Sequence, residues 1–214
     1  MIIYYTVIIS MFTLAAIDLK TSNDSCYYMG YRKMQKWTAF FMIAILALVA
    51  GLRYNVGTDY YNYYTGYYYF KTASLQLNDE PGIKIIAKLA SLLYDDPGMM
   101  MFLAAVITVV LMTVTIVRNS EMGWISIMLY IFLCCWHGCF NGVRQYLAAA
   151  VLFAGHCFIK KRKLVYWCIV VFIASMFHIT AVVGLIFYFF PQIKISLKQV
   201  VLSVTLIYIG TRAY

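Results

Sequence analysis

Three ionisable side chains stand at the ends of apolar runs, where such groups are costly and usually have a function. Arg53 follows one run, Arg144 begins another, and His178 lies between two more. A guanidinium group binds oxyanions, and an imidazole exchanges a proton near neutral pH. These residue types predict a site that binds an anion and moves a proton, provided that the apolar runs bring them to the same place.

Each of these residues also has a purely structural interpretation. Arg53 could extend from a helix end towards lipid phosphates, and His178 could be a hydrogen-bonded packing residue. Arg144 lies at a helix start, where the helix dipole disfavours a cation. A bound anion explains that position, and so does an ion pair with Asp59.

The composition assigns the chain to the membrane. Of its 214 residues 64% are hydrophobic and 12% are charged, and the mean hydropathy is +0.80. Soluble domains have roughly 45–50% apolar and about 25% charged residues, so too few polar side chains remain to cover a soluble globule. The same numbers exclude a disordered chain, a collagen and a disulfide-rich secreted domain. The net charge of +9 comes with no basic face or nucleic-acid-binding module, so no nucleic acid is expected as a partner.

Apolar runs separated by short polar gaps predict an all-α polytopic membrane protein, with residues 1–214 as a single domain. Crossing the hydrocarbon takes about 20 apolar residues, and the runs indicate seven or eight transmembrane helices. The first run lacks a basic leader and a cleavage site, so we expect it to be retained. The stretch 164–190 is either one span or two spans broken near Phe177 and His178. The predicted spans are 2–17, 37–52, 98–117, 122–138, 143–159, 164–177, 179–190 and 200–211.

Loop charges predict that the N-terminus lies outside the membrane, because cytoplasmic loops carry an excess of Lys and Arg. In this orientation Arg53, Arg144 and His178 all fall near the outer face. Eleven basic residues then face inward, namely Lys20, Arg32, Lys33, Lys36, Arg118, Lys160, Lys161, Arg162, Lys163, Lys194 and Lys198. Six face outward, namely Arg53, Lys71, Lys84, Lys88, Arg144 and Arg212.

The outer loop 53–97 is the longest stretch outside the predicted spans. Its second half, 83–94, places apolar side chains on one helical face and Lys84 and Lys88 on the other, so it predicts an extracytoplasmic amphipathic helix. Such a helix lies flat in the outer interface or packs against the bundle, and both placements fit. The tyrosine-rich segment 60–70 suits either the membrane interface or a surface that binds sugars.

Known motifs for nucleotides, metals and nucleophilic serines are missing from the sequence. It has no phosphate-binding glycine loop, dinucleotide fingerprint, HExxH or GxSxG pattern. Six cysteines form no CxxC pair, and a metal site drawn around Cys135, His137 and Cys139 has no second half. We interpret the cysteines as small packing residues and expect neither a metal nor another cofactor.

Three motifs resemble those of the EpsG family of exopolysaccharide proteins. The segment 51–63, GLRYNVGTDYYNY, is similar to the family's LRY-x-VGTDY-x-x-Y pattern. The segment 141–148, NGVRQYLA, is similar to its N-x-x-RQ-x-x-A helix start, and 174–181, ASMFHITA, to its A-x-x-FH-x-SA segment with Thr180 in place of serine. Glu80, Pro81 and Gly82 stand where the family has an acidic-Pro-Gly step, and the likeness covers residues 45–190.

The resemblance implies a Wzy-like glycosyltransferase in the bacterial cytoplasmic membrane. It would join undecaprenyl-pyrophosphate-linked oligosaccharide repeat units on the outer face into exopolysaccharide, capsule or O-antigen, with the lipid bilayer and other polysaccharide-assembly proteins as partners. Members of the family are usually longer than this chain, so the resemblance also predicts that their C-terminal part is missing here. The alternative functions are a flippase for the lipid-linked unit, a polysaccharide ligase and a non-catalytic assembly subunit.

Under this hypothesis the candidate residues form a catalytic and a substrate-binding group. Arg144, together with Arg53, would bind the donor pyrophosphate and stabilise the charge that develops on it. His178 or Asp59 would orient or deprotonate the acceptor hydroxyl. The predicted sugar-binding residues are Tyr60, Asn62, Tyr63, Asn141 and Gln145.

Overall fold

A computed structural model describes residues 2–21, 34–76, 79–192 and 205, and every regular element with defined bounds in these ranges is helical. This confirms the predicted all-α class for the described part of the chain. The α-helices are α1 Ile2–Thr21, α2 Lys36–Gly51, α3 Tyr60–Thr72, α4 Pro81–Leu93, α5 Pro97–Asn119, α6 Gly123–Phe132, α7 Cys135–Gly138, α8 Val143–Gly155, α9 Cys157–Lys160 and α10 Leu164–Ser175. Two 3-10 helices follow, Ile179–Tyr188 and Phe190–Gln192.

Among the described residues, the helices α1 and α5 are long and apolar enough to cross a membrane. The shorter apolar elements are α2, α6, α10 and the 3-10 helix Ile179–Tyr188. The chain is therefore a helical protein with membrane-capable segments, while the number of seven or eight spans stays a prediction. Apart from residue 205, the predicted span 200–211 lies outside the described residues, as do the basic residues Arg32, Lys33, Lys194, Lys198 and Arg212.

The central helix is α5, which packs against α2, α3, α4, α6 and α8. Its buried positions include small or hydroxylated residues such as Ala104, Ala105 and Thr108, and small side chains let helix backbones approach closely. The buried hydroxyl of Thr108 donates to the Ala104 carbonyl at 2.8 Å. This bond satisfies the hydroxyl within its own helix, so the packed face of α5 presents a largely apolar surface.

Three of the predicted apolar stretches are interrupted. The run 143–159 is divided at His156 between α8 and α9. The run 122–138 is split between α6 and α7, and the break contains Cys134 with a left-handed φ of 59°. The stretch 164–190 breaks between Ser175 and Ile179, as the interpretation with two segments requires. The two segments lie side by side, because the indole nitrogen of Trp167 donates to the Gly184 carbonyl at 3.1 Å. They form a helical hairpin whose turn contains His178.

The amphipathic segment forms α4, which packs against α3 and α5. Contrary to the prediction that Lys84 lies on a polar outer face, its side chain is only 3% exposed. The connection from α3 covers it and supplies acceptors, since Lys84 Nζ donates to the Ser74 carbonyl at 3.1 Å and pairs with Asp79 at 2.5 Å. A buried cation needs such partners, so α4 is a helix packed on the bundle.

An ion-pair cluster fastens the C-terminal end of α3 to the loop before α5. Asp95 accepts from the Tyr67 hydroxyl at 2.6 Å and from Lys71 Nζ at 2.8 Å. The hydrogen bonds from Lys71 and Tyr67 lower the pKa of Asp95, whereas burial and the bond to Asp95 raise the pKa of Tyr67. The cluster therefore favours the ionised form of Asp95 in the folded state.

Because the pKa of Asp95 is lower in the folded state, its contribution to stability is complete above its ordinary value of 3.8 and is lost as the pH falls through the lowered value. We expect Asp95→Asn to lower the Tm at about pH 6, with the difference from the wild type shrinking as the pH falls below 3.8 and disappearing below the lowered pKa. Thermal unfolding of the detergent-purified protein across this range is the measurement. A difference that stays constant with pH would contradict the assignment.

The loop between α2 and α3 rests on the turn before α8. Gly57 has a φ of 106°, and a Cβ atom there would lie 2.2 Å from the Phe140 carbonyl oxygen. The backbone N–H of Thr58 donates to Asn141 Oδ1 at 2.9 Å. The glycine and the asparagine thus hold two of the three sequence motifs against each other.

We expect Gly57→Ala to destabilise the protein by about 2–4 kcal/mol, because both the backbone angle and the contact with a main-chain oxygen exclude a side chain. For a chain of this size the Tm should fall by roughly 5–15 °C, measured by scanning fluorimetry of the purified protein. Gly66→Ala in α3 is the matched control, since its nearest neighbour is the movable end of the Phe70 ring. Equal Tm values for the two variants would contradict this account.

Candidate active site

Segments that are distant in sequence meet at one end of the bundle. Glu80 precedes α4, Arg144 lies in the first turn of α8, and His178 occupies the turn between α10 and the 3-10 helix. The Glu80 carboxylate contacts both other side chains. Its Oε2 accepts from Arg144 Nη1 at 2.5 Å, and its Oε1 accepts from His178 Nδ1 at 2.8 Å. We refer to Glu80, Arg144 and His178 as the carboxylate cluster.

The backbone conformation at Glu80 places its side chain between Arg144 and His178. Glu80 has a left-handed φ of 43°, which is unfavourable for a residue with a side chain. The N–H of Gly82 donates to the Met176 carbonyl at 2.8 Å, and a Cβ on Gly82 would lie 2.3 Å from the Phe177 ring. The start of α4 is therefore docked on the end of α10, and the carboxylate also accepts from the Ile179 N–H at 2.9 Å.

Arg144 is held on two sides and open on a third. Its Nε donates to the Tyr63 hydroxyl at 3.1 Å, and its Nη1 donates to Glu80. Its Nη2 makes no hydrogen bond to any described residue, and the side chain is 40% exposed. The alternative ion pair with Asp59 is not formed, because Arg144 pairs with Glu80, and Asp59 contributes a weaker electrostatic attraction. An arriving anion therefore has a free guanidinium nitrogen to bind.

The contacts of His178 define its tautomer. A carboxylate only accepts hydrogen bonds, so the proton that His178 shares with Glu80 belongs to Nδ1, and in the neutral imidazole the lone pair lies on Nε2. Gln145 Nε2 lies 3.3 Å from that nitrogen. Both residues line a groove of about 300 Å³ between α8 and the 3-10 helix. Its other walls are mostly small or apolar, and they include Ala148, Ala149, Leu152, Val183 and Phe187.

Arg53 lies apart from the carboxylate cluster. Its Nη1 donates to the Ala50 carbonyl at 2.8 Å, and its guanidinium carbon lies 5.1 Å from the centre of the Phe140 ring. Burial lowers the pKa of Arg53, but an arginine remains charged at neutral pH. Arg53 lines a separate cavity of about 420 Å³, and Arg144 is not among the residues of that cavity.

The predicted sugar-binding residues have different environments. Tyr60 is buried and lines the Arg53 cavity, whereas Tyr63 is buried against Arg144. Gln145 reaches His178, and Asn62 is exposed on α3. The side-chain oxygen of Asn141 is engaged by Thr58. Their roles in binding sugar stay predictions.

Glu80 is absent from the residues that sequence reasoning assigned to the site. Its signal was the acidic-Pro-Gly step of the family resemblance, which marks an acid immediately before a helix. The described residues include no group of three or more His, Cys, Asp or Glu placed to hold a metal ion. The chemistry that these side chains offer is anion binding by Arg144 and proton transfer by His178.

The family model for the EpsG family matches residues 36–213, which is most of the chain and includes the carboxylate cluster and Arg53. The chain belongs to the EpsG family. Membership indicates a polysaccharide polymerase-like or glycosyltransferase-like role and, with the apolar helices, a location in a membrane. No curated protein and no solved structure matches the chain.

Proposed function

We propose that this EpsG-family chain polymerises undecaprenyl-pyrophosphate-linked oligosaccharide repeat units on the outer face of the bacterial cytoplasmic membrane, giving exopolysaccharide, capsule or O-antigen. The carboxylate cluster carries the proposal, because one glutamate holds an arginine and a histidine together. Joining such units needs a cation for the leaving pyrophosphate and a base for the attacking hydroxyl. Arg144 and His178 are residues of these two kinds.

Arg144 binds the pyrophosphate of the donor in this mechanism. Its Nη2 is unengaged by the described residues, and Tyr63 and Glu80 orient the planar guanidinium from the other sides. Glu80 neutralises the arginine before substrate arrives, which limits the penalty for placing a cation at a helix start. As the bond between the donor sugar and the pyrophosphate breaks, negative charge grows on the phosphate oxygens, and Arg144 stabilises it.

His178 acts as the general base. Glu80 holds its Nδ1–H, so the lone pair of the neutral ring lies on Nε2, where the acceptor hydroxyl would replace the amide of Gln145 and give up its proton. The hydroxyl oxygen attacks the anomeric carbon of the donor and forms the new glycosidic bond, the bond to the pyrophosphate breaks, and the proton remains on Nε2. Glu80 stabilises the imidazolium formed, as the carboxylate does in other carboxylate–histidine pairs.

The surrounding residues suit a lipid-linked sugar. The groove next to His178 is largely apolar, which fits a polyprenyl chain or the apolar face of a sugar ring, and Gln145 at its edge offers an amide. Asp59 adds negative potential near Arg144, which would help to release the pyrophosphate product. Asn62, exposed on α3, is available to contact the oligosaccharide.

The test is a gel of lipid-linked and surface glycans from a strain that lacks this gene, with and without the wild-type chain supplied on a plasmid. If the chain is a polymerase, we expect single repeat units on the outer side of the membrane in the deletion strain and long chains after complementation. Repeat units trapped on the inner side would indicate a flippase, and long lipid-linked chains that are not transferred would indicate a ligase. Unchanged glycans in the deletion strain would refute the proposal.

A further inference from the structure

Arg53 carries buried N–H groups without an acceptor. Its Nη1 is engaged by the Ala50 carbonyl, but Nε and Nη2 are inaccessible to solvent and have no hydrogen-bond partner among the described residues. These two nitrogens share one edge of the planar guanidinium group, the edge that binds two oxygens of a carboxylate or phosphate side by side. Buried donors of this kind are costly when unpaired. They therefore point to an acceptor that the described residues do not provide.

The cavity that Arg53 lines is suited to a sugar. It has a volume of about 420 Å³, and four tyrosines line it, namely Tyr54, Tyr60, Tyr64 and Tyr94. The rings of Tyr60 and Tyr64 are stacked with their centres 5.8 Å apart, and tyrosines combine an apolar face with a hydrogen-bonding hydroxyl. The carboxylate among the lining residues, Asp96, is engaged by the N–H of Gly98 at 2.6 Å. The cavity thus offers aromatic surface together with an arginine.

Helix α3 contributes side chains both to the Arg53 cavity and to the surroundings of Arg144. Tyr60 and Tyr64, one helical turn apart, line the Arg53 cavity, whereas the Tyr63 hydroxyl oxygen accepts a hydrogen bond from Arg144 Nε. The two arginines are therefore associated with different tyrosines of one helix. This arrangement differs from the sequence-based hypothesis in which both arginines bind one pyrophosphate.

We propose that the Arg53 cavity is a second substrate site, which binds an oxyanion of the acceptor while Arg144 binds the donor pyrophosphate. This inference rests on the proposed function, in which the acceptor is also lipid-linked and keeps its own pyrophosphate through the reaction. The oxyanion is either that pyrophosphate or a carboxylate on the acceptor saccharide. Either would reach the Nε and Nη2 edge by displacing the side chains that now cover it. Arg53 lies outside the carboxylate cluster, so we assign it to holding the acceptor.

The experiment counts lipids bound to the purified full chain by native mass spectrometry, with undecaprenyl pyrophosphate as the probe. The wild type is expected to bind two molecules, and Arg53→Gln and Arg144→Gln one each. A second arm uses a soluble oligosaccharide that contains glucuronic acid. Arg53-dependent binding of this saccharide alone would identify the anion as a carboxylate, and Arg53-dependent binding of the lipid would identify it as the pyrophosphate. Binding of both probes unchanged in Arg53→Gln would overturn the proposal.

Folding is monitored in the same samples. Because Arg53→Gln removes a buried and incompletely paired cation, its Tm should equal or exceed that of the wild type. Arg53→Lys is the second variant, since lysine keeps the charge but lacks the two-nitrogen edge, and at least a tenfold weaker affinity for the probe is expected. Wild-type affinity in Arg53→Lys would also overturn the site. The binding experiment tests the Arg53 site separately from the proposed polymerase activity. If the polymerase activity is wrong, the glycans of the deletion strain will be unchanged, whatever Arg53 binds.

Discussion

Replacement of Arg144 by alanine is expected to lower the rate of polymer formation by roughly 10³-fold while the chain remains folded, because the developing charge on the pyrophosphate loses its cation. Binding of the donor should weaken as well, since Arg144 contacts it before and during the reaction. Arg144→Lys keeps a positive charge but loses the bond from Nε to Tyr63, so we expect a smaller fall of roughly 10- to 100-fold. The measurement is the chain-length distribution formed from a synthetic lipid-linked repeat unit by the purified protein.

The control for this substitution is Lys71→Gln. Lys71 is also a cation in the outer loop and is also paired with a carboxylate, Asp95, but it is not part of the carboxylate cluster. The Lys71→Gln variant should form polymer at a rate within about twofold of the wild type, because a surface ion pair contributes little. Wild-type chain lengths in Arg144→Ala would remove Arg144 from the mechanism. Equal losses in both variants would show that the effect comes from a general change in charge.

Replacement of Glu80 by glutamine is expected to lower kcat by roughly 10³- to 10⁴-fold, in line with other carboxylates that orient a histidine. Glutamine has almost the same shape, but its amide N–H can face His178 Nδ1 and favour the tautomer with the proton on Nε2. A histidine in that tautomer cannot accept the proton of the acceptor hydroxyl. The developing imidazolium also loses the negative charge that Glu80 supplies.

The same substitution should leave donor binding intact, because it frees Arg144 Nη1 from its ion pair. Glu80→Gln is thus expected to separate kcat from the affinity for undecaprenyl pyrophosphate, which should equal or exceed that of the wild type. Arg144→Ala should lower both quantities. The control is Asp95→Asn, which removes a carboxylate paired with Lys71 outside the cluster. A fall in lipid affinity without a fall in kcat would contradict the assigned role of Glu80.

Much of the outline was readable from the sequence. The apolar content predicted a helical membrane protein, and the three motifs predicted the EpsG family, because composition and short motifs are local properties of the chain. The positions of Arg144 and His178 at the ends of apolar runs also predicted that they could meet. Each follows a turn, and in a bundle of antiparallel helices alternate turns lie at the same end.

The partners of these residues depended on packing over long sequence distances. Glu80 is 64 residues from Arg144 and 98 from His178, and helical periodicity says which face a residue occupies but not which other segment that face meets. Lys84 illustrates the same limit. Helical periodicity placed it on the face of α4 opposite the apolar side chains, but the connection from α3 covers that face. Arg53 and Arg144 were expected at one pyrophosphate because they share an end of the bundle. They occupy different places because α3 presents Tyr60 and Tyr64 to the Arg53 cavity and Tyr63 to Arg144.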